Sequence, residues 1–244
     1  MKRILGFLFF IYQLVVIFPV FGIATAICGF IAVSISVLGY PSFASQFAGS
    51  IWGRVSVWVT LSRISVSGRE KIKEGQSYVI VANHPSAFDI LVVYGWIGLD
   101  FKWVIKKEVR KYPILGYSCH KMGHVFVDRS NTDAAIKSLQ SAKSRIRDGV
   151  SIFFFPEGTR HKEIGQFKKG AFRMALDLEL PILPVTIRDS EKIIPSKSIK
   201  VRPGHAEMIF HDPIETSDYN HENLRELVEK SHDIIMAPLK KSGK

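Results

Sequence analysis

Cysteine is nearly absent: Cys28 and Cys119 are the only two in 244 residues, with no CxxC and no Cys/His pair at ligand spacing. That scarcity argues against a disulfide framework and a zinc site, and it fits a reducing compartment. Charge is also missing, but only locally: between Arg3 and Arg54 there is no Asp, Glu, Lys or Arg. No internal repeat or low-complexity tract interrupts the chain. No helix-turn-helix, zinc or aromatic-basic strand motif is present, which argues against nucleic acid as the partner.

What is there is basic and apolar. The net charge is +11, the pI about 9.6, and 47% of the residues are hydrophobic. Such a charge favours a polyanionic surface, and its restriction to the part after the apolar segment makes that surface a lipid bilayer. The run Ile4–Leu38 would reach roughly 50 Å as one helix, against a hydrocarbon layer of roughly 30 Å. It must therefore tilt, kink or break, with Pro19 and Gly22 as kink points and Gly39-Tyr40-Pro41-Ser42 as a helix stop. A second stretch, Ser42 to about Leu61, mixes Phe43, Phe47, Trp52 and Trp58 with Ser, Gln and Gly, as suits a helix at the headgroup boundary or a second span. Met1-Lys2-Arg3 and Ala24-Thr25-Ala26 imitate a cleavable signal, but the apolar run continues well past them, so an anchor is expected. Basic residues on both flanks place both on the cytoplasmic side, which predicts a hairpin and not a single crossing.

Beyond about Ile64, short runs rich in Val, Ile and Phe alternate with helical patterns. Strands are expected at Tyr78–Ala82, Phe101–Ile105, His124–Val127, Ile152–Phe155, Ile182–Ile187 and Glu207–His211. Helices are expected at Ala87–Ile97, Asp133–Arg147, Gly170–Asp177 and Asn223–Lys240. The alternation predicts an α/β fold, a mainly parallel central sheet flanked by helices and preceded by an N-terminal membrane-embedded helical hairpin. Residues 1–62 read as the anchoring two-helix segment and 63–244 as a catalytic domain. In such sheets ligands bind at the carboxyl ends of the strands.

Chemistry concentrates at those ends. The run Val81-Ala82 leads into Asn83-His84-Pro85-Ser86-Ala87-Phe88-Asp89. Pro85 keeps His84 out of helical geometry, and Ser86-Ala87-Phe88-Asp89 has the pattern of a capping box with Asp89 in the first turn. A reversal this tight can bring the Asp89 carboxylate to one imidazole nitrogen of His84, leaving the other to take a proton from a hydroxyl. The plainer alternative is a capping carboxylate beside a loop histidine. Ile152–Phe155 leads into Pro156-Glu157-Gly158-Thr159-Arg160. There Gly158 permits a tight turn, Arg160 offers a planar fork of donors, and Glu157 either binds a substrate hydroxyl or fixes Arg160. Two further strand ends deliver Lys106 and Lys107, and Asp128 and Arg129. One histidine-carboxylate pair and several cations on one rim describe a site for a phosphorylated alcohol.

Asn83–Asp89, Val127–Arg129, Phe155–Arg160 and Leu180–Val185, in that order, resemble the four blocks of the glycerolipid acyltransferase family, and within it the bacterial 1-acylglycerol-3-phosphate acyltransferases. The likeness covers roughly residues 65–215, and Phe167–Ala171 resembles the segment that follows the third block. It implies His84 as catalytic base and Asp89 as its orienting partner. It also implies substrate binding by Lys106, Arg129, Glu157, Gly158, Thr159 and Arg160, with Lys107 a rival to Lys106. No metal, cofactor or covalent acyl-enzyme is implied.

The expected reaction moves a fatty acyl group from an acyl carrier protein or coenzyme A thioester to the sn-2 hydroxyl of lysophosphatidic acid, at the cytoplasmic face of a cell inner membrane or plasma membrane. Glycerol 3-phosphate or another lysophospholipid as acceptor is the alternative within the chemistry. A non-catalytic membrane lipid-binding protein is the alternative outside it.

Overall fold

The computed structural model describes residues 2–158 and 165–240. Its centre is a seven-stranded sheet in the order β1-β7-β6-β2-β5-β3-β4. The strands are β1 (Arg63–Ser67), β2 (Val79–Ala82), β3 (Asp100–Lys106), β4 (Val125–Val127), β5 (Val150–Phe154), β6 (Ile182–Arg188) and β7 (His205–Phe210). Neighbouring strands are parallel except for the antiparallel pair β6–β7. The α/β fold and mainly parallel sheet expected from the sequence are therefore present. The alternation pattern missed β1, because Arg63-Ile64-Ser65-Val66-Ser67 is a polar edge strand with no fully buried residue.

The middle of the sheet is apolar on both faces, as a covered parallel sheet requires. Every residue of β2 is buried, and so are Ser151–Phe154 of β5 and Ile182–Ile187 of β6. Burial of each large side chain there contributes roughly 1.5–3 kcal/mol. One face is covered by α4 (Phe88–Trp96), whose Phe88, Val92 and Val93 join the cluster of Ile80, Phe153 and Leu183. The other face is covered by α7 (Gly170–Leu178) and α9 (Leu224–Lys240), through Phe172, Leu227 and Ile235 against Val79, Ile152 and Ile182. The remaining helices are α5 (Pro113–Lys121), α6 (Thr132–Ala142) and the short α8 (Ser190–Ile193).

Ahead of the sheet lie α1 (Lys2–Tyr12), α2 (Phe18–Val37) and α3 (Pro41–Trp58). The first apolar run stays helical over Ile4–Val37 and carries one irregularity, a five-residue π-turn, Gln13–Ile17, joining α1 to α2, with Pro19 in the first turn of α2. The widened turn comes just where the proline lacks an N–H for the preceding turn. It also presents Gln13 inward, where it is 3% exposed. Gln13 Nε2 donates to Ile199 O at 2.8 Å and Oε1 accepts from Val201 N at 3.0 Å, so the amide is paired at both ends. After the turn at Leu38–Tyr40, α3 runs back along α2, with Trp52 Nε1 donating to Thr25 Oγ1 at 2.9 Å.

The helical hairpin is fastened to the sheet through α3 and α4, where glycines let the backbones touch. A Cβ at Gly53 would lie 2.6 Å from both Gly95 N and Leu91 O. Backbone cannot retreat as a flexible side chain can, so Gly53→Ala is expected to cost about 1–3 kcal/mol. Thermal melts in detergent should show a lowered midpoint for Gly53→Ala and none for Gly6→Ala, where an added Cβ meets nothing within 4 Å.

Candidate active site

The four strands β2, β5, β3 and β4 are adjacent and mutually parallel, so their carboxyl ends share one rim. Those ends carry His84, Glu157, Lys106 and Arg129. The rim read from strand placement is thus where the fold puts these residues.

At the end of β2, Asn83 is fully buried and pairs with Ile187 through both halves of its amide: Nδ2 donates to Ile187 O and Oδ1 accepts from Ile187 N, each at 2.8 Å. The side chain thereby continues the β2–β6 pairing beyond Ala82 and holds the backbone from which His84 departs. His84 Nδ1 lies 2.7 Å from Asp89 Oδ2. The same oxygen accepts from Ser86 N at 2.9 Å, and Ser86 Oγ accepts from Phe88 N at 3.0 Å. Capping carboxylate and orienting carboxylate, posed by the sequence as alternatives, are one group. Helix α4 has Ala87 as its N-cap residue, and the hydroxyl that closes its start belongs to Ser86. The remaining oxygen, Asp89 Oδ1, is buried without a hydrogen-bond partner among the described residues, and the positive end of α4 beside it favours a negative charge there.

Because Asp89 can only accept when ionised, the proton between them sits on His84 Nδ1, and Nε2 is left as the basic nitrogen. Among the described residues nothing bonds Nε2. The ring is stacked on Phe155, centroids 3.9 Å apart and planes 8° from parallel. Its side chain is 12% exposed, which keeps water away from all but its edge.

Glu157 is buried beneath this pair. Its Oε1 accepts from the backbone N–H of His84 at 2.7 Å, and among the described residues Oε2 is buried with no side-chain or backbone partner within hydrogen-bond distance. Burial raises its carboxyl to about 7, helped by the Asp89 carboxylate and opposed by the N–H groups of His84 and Gly165. Gly158, at φ +77, makes the turn that follows, and its carbonyl accepts from Arg129 Nη1. Arg129 therefore bridges the ends of β4 and β5. Lys107 is engaged by Asp128, whereas Lys106 faces Glu108 at 3.6 Å with half of its side chain exposed. Thr159 and Arg160 lie outside the described residues. Phe155 and Asn83 were not singled out in the sequence, and neither was the bond from Glu157 to the histidine's backbone. The only signal was position, since each stands directly at a strand end beside a residue that was.

An acyltransferase family model matches residues 63–188, a span that holds this rim. The chain belongs to the acyltransferase family. This acyltransferase is 32% identical over 199 residues to a 1-acyl-sn-glycerol-3-phosphate acyltransferase of Cocos nucifera, covering 80% of this chain and 64% of that protein. A 1-acyl-sn-glycerol-3-phosphate acyltransferase of Borreliella burgdorferi is 30% identical over 181 residues, 72% of each chain. The acyltransferase spans 49% of a chloroplastic relative of that name from Arabidopsis thaliana, so some curated relatives are about twice its matched length. Its fold is that of the 1-acyl-sn-glycerophosphate (LPA) acyltransferase PlsC from Thermotoga maritima, with a TM-score of 0.81 over 100% of this chain and 99% of that one at 23% identity.

The raised Glu157 carboxyl has a consequence for stability. A glutamate that titrates near 7 when folded and near 4.5 when unfolded stabilises the fold in its neutral form. Stability is therefore lost as pH rises through that window and stays level above it. Glu157→Gln keeps an oxygen for the His84 N–H and cannot ionise. The difference in melting temperature between Glu157→Gln and the parent should shift in the variant's favour from pH 4.5 to 7 and then plateau. Parallel curves would show that the carboxylate is charged at no cost.

Proposed function

We propose that this chain transfers a fatty acyl group from an acyl carrier protein or coenzyme A thioester to the sn-2 hydroxyl of 1-acylglycerol 3-phosphate, forming phosphatidic acid. The observation that carries the reading is the His84–Asp89 contact at 2.7 Å on the cation-bearing rim, with Nε2 bonded to none of the described residues. Similarity to relatives named for that reaction supports it. His84 Nε2 takes the acceptor's hydroxyl proton as that oxygen attacks the thioester carbonyl. The C–S bond then breaks, and the departing thiolate recovers the proton from the imidazolium. Asp89 holds the ring in the required tautomer and favours the imidazolium while it exists. An alcohol is a poor nucleophile at neutral pH while a thioester has a good leaving group, so base assistance is where catalysis is needed. Arg129 and Arg160, with Lys106, would hold the acceptor's phosphate, the role their counterparts have by resemblance.

In this reading residues 1–62 anchor a catalytic domain of residues 63–244 at the cytoplasmic face of a cell inner membrane or plasma membrane. The helix Ile4–Val37 supports it: the mean hydropathy of its most apolar 18-residue window is 2.5, and only 17% of that window is buried against the protein. Its outward residues, including Phe7, Phe21, Ile27 and Phe30, need an apolar surrounding. Contact of α5 with α2 at Gly29, a short way from the turn at Leu38–Tyr40, favours a hairpin seated in one leaflet.

His84→Ala should lower the rate by about 10²–10⁴ or more, and Asp89→Asn should also be impaired. The double variant should be scarcely worse than His84→Ala, because the two residues act as one unit. Activity of His84→Ala within a fewfold of the parent, with membrane insertion intact, would refute the mechanism. Arg160→Ala should weaken use of a phosphorylated acceptor by roughly 1.5–3 kcal/mol, with Arg160→Lys only partly tolerated. Assays with lysophosphatidic acid, glycerol 3-phosphate and a lysophospholipid bearing a headgroup decide the acceptor.

A further inference from the structure

The segment Lys106–Lys121, which follows β3 on the rim, has no part in the chemistry above apart from Lys106. It carries five basic residues, Lys106, Lys107, Arg110, Lys111 and Lys121, against one acid, Glu108. It is folded as a short 3₁₀ turn, Lys107–Lys111, followed by α5. The two halves are pressed together at Gly116, where a Cβ would lie 2.5 Å from both Arg110 O and Val109 O. The basic turn is thus fixed beside the helix. Outward from this unit point Tyr112, Ile114, Leu115 and Tyr117, which are 62%, 47%, 38% and 51% exposed. Lys121 Nζ lies 5.5 Å from the centre of the Tyr117 ring.

Four adjacent apolar or aromatic side chains left partly in water are costly, and the described residues leave more than a third of each exposed. Their surface continues into the hairpin: Ile114 Cγ2 packs at Gly29, and Leu115 lines a small cavity with Cys28 and Gly29. Tyrosines at a boundary, with lysine and arginine beside them, have the composition of a headgroup-level contact, and the excess of cations matches an anionic surface.

We propose that the 3₁₀ turn and α5 form a second membrane-contact element, separate from the hairpin, that rests the active-site rim on an anionic phospholipid surface. The proposal rests on the anchoring role given to the hairpin. Tyr112 and Tyr117 would lie at the headgroup level, Ile114 and Leu115 toward the acyl chains, and Arg110, Lys111 and Lys121 among the phosphates. The lipid acceptor would then reach His84 from the bilayer without crossing bulk water.

The test uses the full chain with Cys28 and Cys119 replaced by alanine, reconstituted with phosphatidylcholine–phosphatidylglycerol vesicles whose acyl chains are brominated. Bimane is placed in turn at Tyr117→Cys, at Phe30→Cys on the hairpin and at Ile136→Cys on α6. Quenching at 117 and 30 but not at 136, with quenching at 117 falling severalfold when phosphatidylglycerol is omitted, is the expected result. Quenching at 30 without quenching at 117 overturns the proposal and leaves the hairpin reading standing. Quenching at neither overturns both. As a second measurement, Tyr112→Glu with Tyr117→Glu should raise KM for vesicle-borne lysolipid about tenfold and leave kcat on a dispersed short-chain acceptor unchanged. A rise confined to KM for a thioester on acidic carrier protein would make this face a protein-docking surface and overturn the proposal.

Discussion

Asp89 Oδ2 accepts two hydrogen bonds, one from the Ser86 backbone at the start of α4 and one from His84 Nδ1. Much of the site's order follows from that shared oxygen. The helix start and the imidazole compete for nothing, because the carboxylate has lone pairs for both. The ring cannot turn without giving up a bond that the helix also leans on, so its orientation is maintained by the fold's own requirements. Phe155 confines the same ring from its face, and Glu157 confines its backbone from below. Substituting Asp89 therefore disturbs both secondary structure and chemistry, and the two effects are separable only by measuring stability beside rate.

The sheet gives this local device its neighbours. In a parallel sheet every strand ends on the same side, and β2, β5, β3 and β4 are contiguous, so residues far apart in sequence meet without any special loop. That is why the rim was legible from short apolar runs and the polar residues following them. Contacts that depend on three-dimensional return were not legible. Nothing in Glu157 announces that it will take the N–H of His84, since that bond exists only because β2 and β5 are neighbours. The strand β1 and the helix α5 escaped for a different reason: the first is a five-residue edge strand with only two apolar residues, and the second is a short helix with an outward apolar face and weak periodicity.

The hairpin shows the same division. Its existence follows from a run too long to be one span and a stop at Gly39–Ser42, and α2 and α3 do lie side by side. The position of the irregularity does not follow from helix-breaking residues alone. Pro19 lies in the first turn of α2, and the π-turn ahead of it contains Gln13. A polar side chain within an apolar run reads as a blemish until the backbone of Ile199 and Val201 is seen to satisfy it.

That pairing joins residues 186 positions apart, so the amide of Gln13 waits for the synthesis of that many further residues before it is satisfied. At roughly 5–20 residues per second, the delay is on the order of ten seconds to over half a minute. Through that interval the polar amide of Gln13 must be satisfied by other groups. The hairpin can form early, but its rotation about the long axis relative to the sheet is set only when the Ile199–Val201 strap arrives. The fit of the hairpin to the sheet is thus completed late, however early the hairpin itself forms.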